Sequence, residues 1–410
     1  MNFKISKPEL KLNSVCFIIG YVLFLVTLLL ASNIEIALLM DSGADLIGKA
    51  FKLLRYLSYL LLLAGVTDKM ASKSKVAAVL LATAFLALEV LFSRNNTMVL
   101  YVFLYLGAIG IDSKQLVKIS LIVKGCFLFL SILLSQIGLI QDYMFLDGGR
   151  NRHGLGFTWT TTGSILYLHI LLEYIYVRRE KITIIEFAVM ELINIWFYKM
   201  TDASMAFYLS TAFILYFACV HLQKKKFCFS KKIKWVMPLF PSLCALIAIW
   251  AQFAYNERNP FWVSVNLFTH GRLKLGHNAI EKYGITLLGQ PMEWIGFSMR
   301  KLKGTYNYVD SSYLQLLIEF GILFLLLVLL IYTVLIIRGL VIEDYYLIAI
   351  LAFLLVFAMS EPRLMNLMYT SFPLLILSDL NRDNSYSYPT KYRFDGIRKI
   401  RTVWGGDSLC

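Results

Sequence analysis

Long apolar runs, broken by short polar or basic connections, repeat along the chain from residue 15 to residue 380. A helix rises ~1.5 Å per residue and the hydrocarbon core of a bilayer is ~30 Å thick, so runs of this length are read as transmembrane helices. The pattern predicts about twelve, at 15–32, 50–66, 76–92, 97–111, 119–140, 162–177, 182–198, 203–222, 235–253, 312–337, 345–359 and 363–380. The second, fourth and eleventh are short or weak, which leaves ten or eleven as the alternative count. No solenoid repeat, no inverted pair of interrupted helices and no Gly/Ser linker interrupts the series, so residues 1–380 are expected to form a single membrane domain.

Lys and Arg set the orientation, because short cytoplasmic loops carry an excess of them. With the N-terminus inside, the inner segments are 1–14, 67–75, 111–118, 178–181, 223–234, 338–344 and 381–410, and they hold most of the basic residues. "VRREK" and "QKKKFCFSKKIK" are the strongest inner markers and fall on the same side. Residues 381–410 form a basic cytoplasmic tail, with Arg398, Lys399 and Arg401 near anionic lipid. The N-terminal apolar run is too long for a signal-peptide core and lacks a small-residue cleavage site, so it is expected to stay as the first helix. Both termini are expected on the cytoplasmic side of the membrane.

Composition agrees with the pattern. The chain is 59% hydrophobic and 16% charged, with mean hydropathy +0.67; soluble domains run at about 45–50% and about 25%. Water could not cover this excess of apolar side chains. The net charge of +14 does not point to nucleic acid, because it lies in loop clusters rather than on one basic face interleaved with stacking aromatics. No cysteine falls in an outer segment, so no disulfide is expected there.

Candidate chemistry lies at the outer ends of the spans. Loop 141–161 contains "RNRH", with Arg150, Arg152 and His153, and the one long outer loop, 254–311, contains Arg272, His270 and His277. Arginine placed against the inside bias needs a local reason: an anionic ligand is one, and headgroup contact or simple solvation is the other. Below these loops, polar residues recur in helical register: Ser312, Gln315 and Glu319 below Asp310; Glu191, Asn194 and Tyr198 below Asp202; Arg363, Asn366 and Thr370 below Glu361. Thr160, Thr161, Thr162 and Ser164 open the sixth span. Four polar clusters at one depth predict a cavity open to the exterior, with interhelical hydrogen bonding as the plainer alternative. Glu173, Glu186, Glu89 and Asp379 are read as structural.

No H-E-x-x-H, C-x-x-C, P-loop or G-x-G-x-x-G occurs, and there is no Asp-x-Asp pair for a divalent cation. Asp41 and Asp45 place two acids in the first outer loop, too far apart in sequence to make such a pair. Arginine instead offers a fixed, forked charge suited to diphosphate. A histidine or carboxylate could deprotonate a sugar hydroxyl.

At "RNRHGLGFTWTTTG", "YKMTDAS", "THGRLKLG" and "YNYVDSSYLQLLIEFGI" the chain resembles the Wzy-type polysaccharide polymerases of bacterial capsule and O-antigen pathways. Arg152 with Gly163, Gly271-Arg272, and Asp310-x-x-Tyr313 ahead of Gly321-Ile322 carry the resemblance. Thr158-Trp159-Thr160 departs from the family's usual His-Pro-Asn, and Ser204-Met205 from a common arginine. The resemblance implies an all-α fold akin to GT-C-like glycosyltransferases. It also implies a metal-independent, inverting transfer, without cofactor, of a growing glycan from undecaprenyl diphosphate to a lipid-linked repeat unit. Arg272 and Arg152, helped by Arg150, would hold the diphosphate, and His153, Asp310 or Glu361 would serve as base. Tyr313, Arg363, Glu191, Gln315 and Glu319 would contact substrate. Expected partners are the undecaprenyl-diphosphate-linked oligosaccharide, membrane lipid, and flippase and chain-length regulator proteins. An O-antigen ligase has the same layout, and a lipid-linked oligosaccharide flippase or transporter is the rival from another class.

Overall fold

The computed structural model describes residues 12–41, 45–66, 91–94, 97–147, 150–223, 227–296 and 306–380. Fifteen helices are named within them in chain order: α1 Leu12–Ala31, α2 Ile34–Asp41, α3 Asp45–Val66, α4 Thr97–Gly107 and α5 Ser113–Gln136 come first. A hairpin follows, β1 Met144–Asp147 and β2 Arg150–His153, then α6 Thr162–Arg178, α7 Ile184–Thr201 and α8 Ser204–Leu222. The rest are α9 Lys231–Val236, α10 Phe240–Phe253, α11 Pro260–Phe268, α12 Arg272–Tyr283, α13 Ser312–Glu319, α14 Gly321–Val341 and α15 Tyr345–Phe357. Five stretches among the described residues are long and apolar enough to cross a membrane: α1, α5, α8, α14 and the run Lys231–Phe253 that joins α9 to α10 through a 3-10 turn. Residues 76–90 of the third expected span, the inner segment 67–75, Glu89, the side chains of Asp41 and Asp45, and the tail 381–410 lie outside the described residues.

Polarity is arranged inside out. Leu192, Leu215, Leu246, Leu326 and Leu330 are more than half exposed, while Lys124, Glu173 and His169 are fully buried. Covering a leucine removes about 1.5–3 kcal/mol of unfavourable water contact. A surface built from many such residues therefore faces lipid rather than water. Close backbone approach helps: α1 lies against α3, where a Cβ at Gly20 would meet the Leu62 backbone nitrogen at 2.9 Å. Small residues of this kind let membrane helices gain dispersion contact over their full length.

Two of the expected spans are not continuous helices. The tenth, 312–337, is split into α13 and α14 at Gly321, whose φ is +83°. Residues 286–290 lie against the break, where Gln290 N donates to the Glu319 carbonyl and Ile322 N to the Thr286 carbonyl, at 3.0 and 3.1 Å. Those bonds satisfy backbone groups that an unbroken helix would have paired internally.

The twelfth, 363–380, is not an α-helix. It runs as turns to residue 371 and then as a short 3-10 helix, Phe372–Ile376. Pro362 and Pro373 lack donors, and polar side chains compete for the backbone between them: Asn366 Oδ1 accepts from Met368 N at 3.0 Å and Thr370 Oγ1 from Phe372 N at 3.4 Å. Arg363, Asn366 and Thr370 therefore do not share a helical face. Irregular backbone inside an apolar bundle needs partners. Lys124 Nζ donates to the Tyr369 carbonyl at 2.6 Å, and Arg338 donates to the carbonyls of Leu375, Ile376 and Ser378. Lys124 is itself held by Glu173 at 2.7 Å, with Ser120 and Ser371 donating to the same carboxylate oxygen.

Connections gather at two ends. At one, Ile34 N donates to the Gly156 carbonyl and Thr158 N to the Ser32 carbonyl, both at 3.0 Å. The Trp159 and Tyr308 rings also meet there, 5.5 Å apart. At the other, Ser113 N donates to the Asp379 carbonyl at 2.9 Å, Arg179 pairs with Asp344 at 2.6 Å, and Lys234 sits over the Tyr345 ring.

Candidate functional site

The hairpin explains the crowding of "RNRH". Side chains alternate along a strand, so β2 sends Arg150 and Arg152 to one face and His153 to the other. Both arginines reach the end of α7: Arg150 pairs with Asp202 and also donates to its carbonyl at 3.1 Å, and Arg152 donates to the Thr201 carbonyl at 3.0 Å. Asp202 can receive Arg150 because it ends α7 in the left-handed region, φ 48°, which short polar residues tolerate. His153 Nδ1 lies 2.6 Å from Asp142 Oδ2, and the other oxygen of Asp142 accepts from Leu155 N at 2.8 Å.

Arg272 is placed by a turn. Helix α11 ends at Phe268, and Gly271 N returns to the Asn266 carbonyl at 2.8 Å. Gly271, with φ +83°, lets the chain turn at once into α12, whose first residue is Arg272. A cation at a helix N-terminus meets the wrong end of the dipole, and two carboxylates compensate. Arg272 Nη2 donates to Glu361 Oε1 at 2.9 Å and Nε faces Asp310 Oδ2 at 3.3 Å. The Nη1 donors have no part in either contact.

Glu361 and Asp310 meet because Ser312 staples their segments. Ser312 N donates to the Ala358 carbonyl at 2.9 Å, its Oγ donates to the Glu361 carbonyl at 2.5 Å, and the same Oγ accepts from Leu364 N at 3.1 Å. Burial pushes both carboxyls above the ordinary carboxylate range, Arg272 pulls them back, and the net direction is up. For Glu361 the like charge of Asp310 adds to the rise. Burial works against the Arg272 charge, but Glu361 and then Asp310 hold its pKa above the usual arginine value. The result is a neutralising trio in which a proton moves onto a carboxyl more readily than in water.

Beside the trio is a cavity of about 340 Å³ whose polar lining includes Thr158, Thr162, Arg363 and Asn366, with Trp159 and Tyr369 as aromatic walls. The trio does not line this cavity; Arg363, two residues after Glu361, is the lining residue that lies within electrostatic reach of Asp310 and Glu361.

The remaining candidates go elsewhere. The Tyr313 hydroxyl donates to the Leu355 carbonyl at 2.9 Å, and its side chain is fully buried. Glu191 accepts from Thr211 at 2.7 Å, and Asn194 donates to Thr211 and to the Phe207 carbonyl, all between α7 and α8. Glu319 accepts from Trp294 Nε1 at 2.7 Å, and Gln315 is partly buried on α13. Two of the four expected polar clusters thus belong to packing contacts rather than to the cavity. Ser164 joins Thr201 at 2.6 Å, leaving Thr162 as the member of its cluster that lines the opening.

Tyr308, Trp159 and Asp142 were not singled out from the sequence as functional. Two tyrosines alternating ahead of Asp310 in "YNYVD" were the available signal for Tyr308. Nothing local marks Asp142 as the partner of His153. The chain matches no protein-family model, no curated protein and no solved structure.

Proposed function

We propose that the chain is an extracytoplasmic membrane glycosyltransferase. It polymerises undecaprenyl-diphosphate-linked oligosaccharide repeat units into a capsular or O-antigen-type polysaccharide. The observation that carries this reading is Arg272 held between Asp310 and Glu361 beside a sugar-sized cavity. Placing that end outside rests on the Lys and Arg bias of the loops; a bundle of about twelve spans with a GT-C-like arrangement rests on the apolar pattern and the family resemblance.

In the proposed reaction the acceptor hydroxyl oxygen attacks the anomeric carbon of the donor glycan. The bond from that carbon to the diphosphate oxygen breaks, and its electron pair leaves with the diphosphate. The hydroxyl proton passes to Asp310 or Glu361, whose pKa, raised by burial, makes either a stronger base than an exposed carboxylate. Arg272, fixed in direction by the carboxylates, turns its Nη1 donors toward the leaving group, where charge grows as the bond breaks. Arg150 and Arg152 add positive potential from the hairpin, and His153 remains a candidate base on its other face.

Loss of the gene should leave single repeat units on lipid and no long chains. Arg272→Ala should reproduce that pattern with normal amounts of protein in the membrane, reducing polymer by at least ~100-fold if one transition-state charge contact is lost. Long chains that still accumulate on lipid in the deletion strain would instead fit a ligase, and normal chain lengths in Arg272→Ala would remove the site.

A further inference from the structure

Arg363 differs from the arginines around it. Arg150 is paired with Asp202, and Arg272 with Asp310 and Glu361. Arg363 has no carboxylate within ion-pair distance among the described residues. Its guanidinium lies over the Tyr369 ring, 4.8 Å from the centroid, and its Nε is buried with no hydrogen-bond partner. Asp310 and Glu361 offset its charge through space but make no direct contact with it, and a ring face is a weak substitute for a paired anion. An anion seated in the cavity that Arg363 lines would be a direct partner for the guanidinium.

The other walls describe the rest of the ligand. Trp159 offers aromatic surface to the C–H face of a pyranose ring, while the Tyr369 ring is buried under the Arg363 guanidinium. Thr158 and Thr162 complete the polar part of the lining. Asn366 uses its carbonyl oxygen on Met368 N, which leaves its NH₂ as a donor. A volume of about 340 Å³ is at the low end of small-molecule sites, which run about 300–1,000 Å³, and suits one or two sugar rings rather than a long chain. One guanidinium, with no lysine or histidine in the lining, matches a single negative charge better than a diphosphate.

From this we infer that the cavity takes a sugar ring carrying one negative charge, a uronate, from the lipid-linked oligosaccharide. The inference rests on the glycosyltransferase reading and adds a substrate class to it. Arg363 reads the carboxylate, Trp159 stacks the ring, and the trio two residues away acts on a neighbouring hydroxyl. An acidic sugar in the repeat unit would then be a requirement for chain growth rather than a tolerated variation.

The test is saturation-transfer NMR on the purified full-length protein in detergent, with D-glucuronate, D-glucose, glucose 6-phosphate and inorganic diphosphate as probes. Glucuronate should show the strongest transfer, with its ring C–H protons the most saturated. Arg363→Gln should weaken it roughly tenfold or more, the worth of one charged hydrogen bond, and Trp159→Ala should remove the ring contacts. Arg363→Lys, which keeps the charge and guards against a folding artefact, should restore part of the signal. Equal binding of glucose and glucuronate would overturn the inference. Strongest binding of glucose 6-phosphate would assign the site to a sugar phosphate, and of inorganic diphosphate to the carrier headgroup; either result would also overturn it. Glucuronate binding combined with normal chain growth in a deletion strain would keep the cavity and remove the polymerase reading, and the reverse pair of results would do the opposite.

Discussion

Asp310 and Glu361 are buried acids that share one guanidinium, and their titration is where the chemistry can be read most directly. Both carboxyls sit above the ordinary range, about 3.9 for Asp and 4.3 for Glu, with burial as the main cause. A base must be deprotonated, so kcat/KM should fall as pH drops through this raised value, earlier than for an exposed acid. Asp310→Asn removes the like charge that lifts Glu361, so the acid limb remaining in that variant should move to lower pH. A pH–rate profile in which the limb moves up, or does not move, would contradict the assignment. The sign for stability runs the other way from a paired surface carboxylate. A folded pKa above the unfolded one means the native state binds more protons in that window, so this pair's contribution to stability declines as pH rises through it.

At the same scale, the sequence marked Arg272, Asp310 and Glu361 as separate candidates, and the fold joins them through Ser312, whose bonds to Ala358, Glu361 and Leu364 cross a long gap in sequence. That joining was not legible because nothing local in either segment encodes it. Glu191 and Glu319 looked alike in the sequence as polar groups at one depth, and Tyr313 was marked only by the family resemblance. They separate in the structure because a buried polar atom takes whichever partner its neighbouring helix offers, such as Thr211 for Glu191 and Trp294 for Glu319.

At the scale of elements, apolar run length identified α1, α6, α7 and α8 within a few residues, since a continuous apolar run has few other solutions in a bilayer. It missed the break at Gly321 and the irregular path of 363–376, because both depend on distant groups that satisfy the backbone. Lys124 is the clearest of these. A fully buried ion pair at 2.7 Å is lost expensively when one partner is removed, about 3–5 kcal/mol, whereas replacing both partners is often near neutral. Lys124→Met should therefore lower the thermal midpoint of the detergent-solubilised protein by several degrees. It should also loosen the Tyr369 turn that supports Arg363. Lys124→Met with Glu173→Leu should recover much of the midpoint but not the hold on the Tyr369 carbonyl. A single variant as stable as wild type would show that the pair is not what secures this segment.

At the scale of the molecule, the hairpin, the Trp159–Tyr308 contact and the Arg272 trio gather at one end, while Arg179–Asp344 and Ser113–Asp379 close the other. This polarity matches an enzyme that works at one membrane face better than a transporter, whose charges would line a path through both leaflets. Lysine and arginine counts set an expected alternation of loops between the two sides, since charge bias acts locally and needs no tertiary contact. The cavity was readable only as a tendency, because Trp159, Arg363 and Asn366 come from segments that the fold alone brings together.

The central claim is that this single chain joins lipid-diphosphate repeat units. The most direct measurement is incubation of the purified full-length protein with undecaprenyl-diphosphate-linked repeat units, with and without a chelator, followed by gel separation of the products. A ladder of chains spaced by one repeat unit is expected in both conditions, and it should vanish with Arg272→Ala. Repeat units left unjoined by active, folded wild-type protein would contradict the polymerase assignment, and a ladder that disappears with chelator would contradict the metal-independent chemistry.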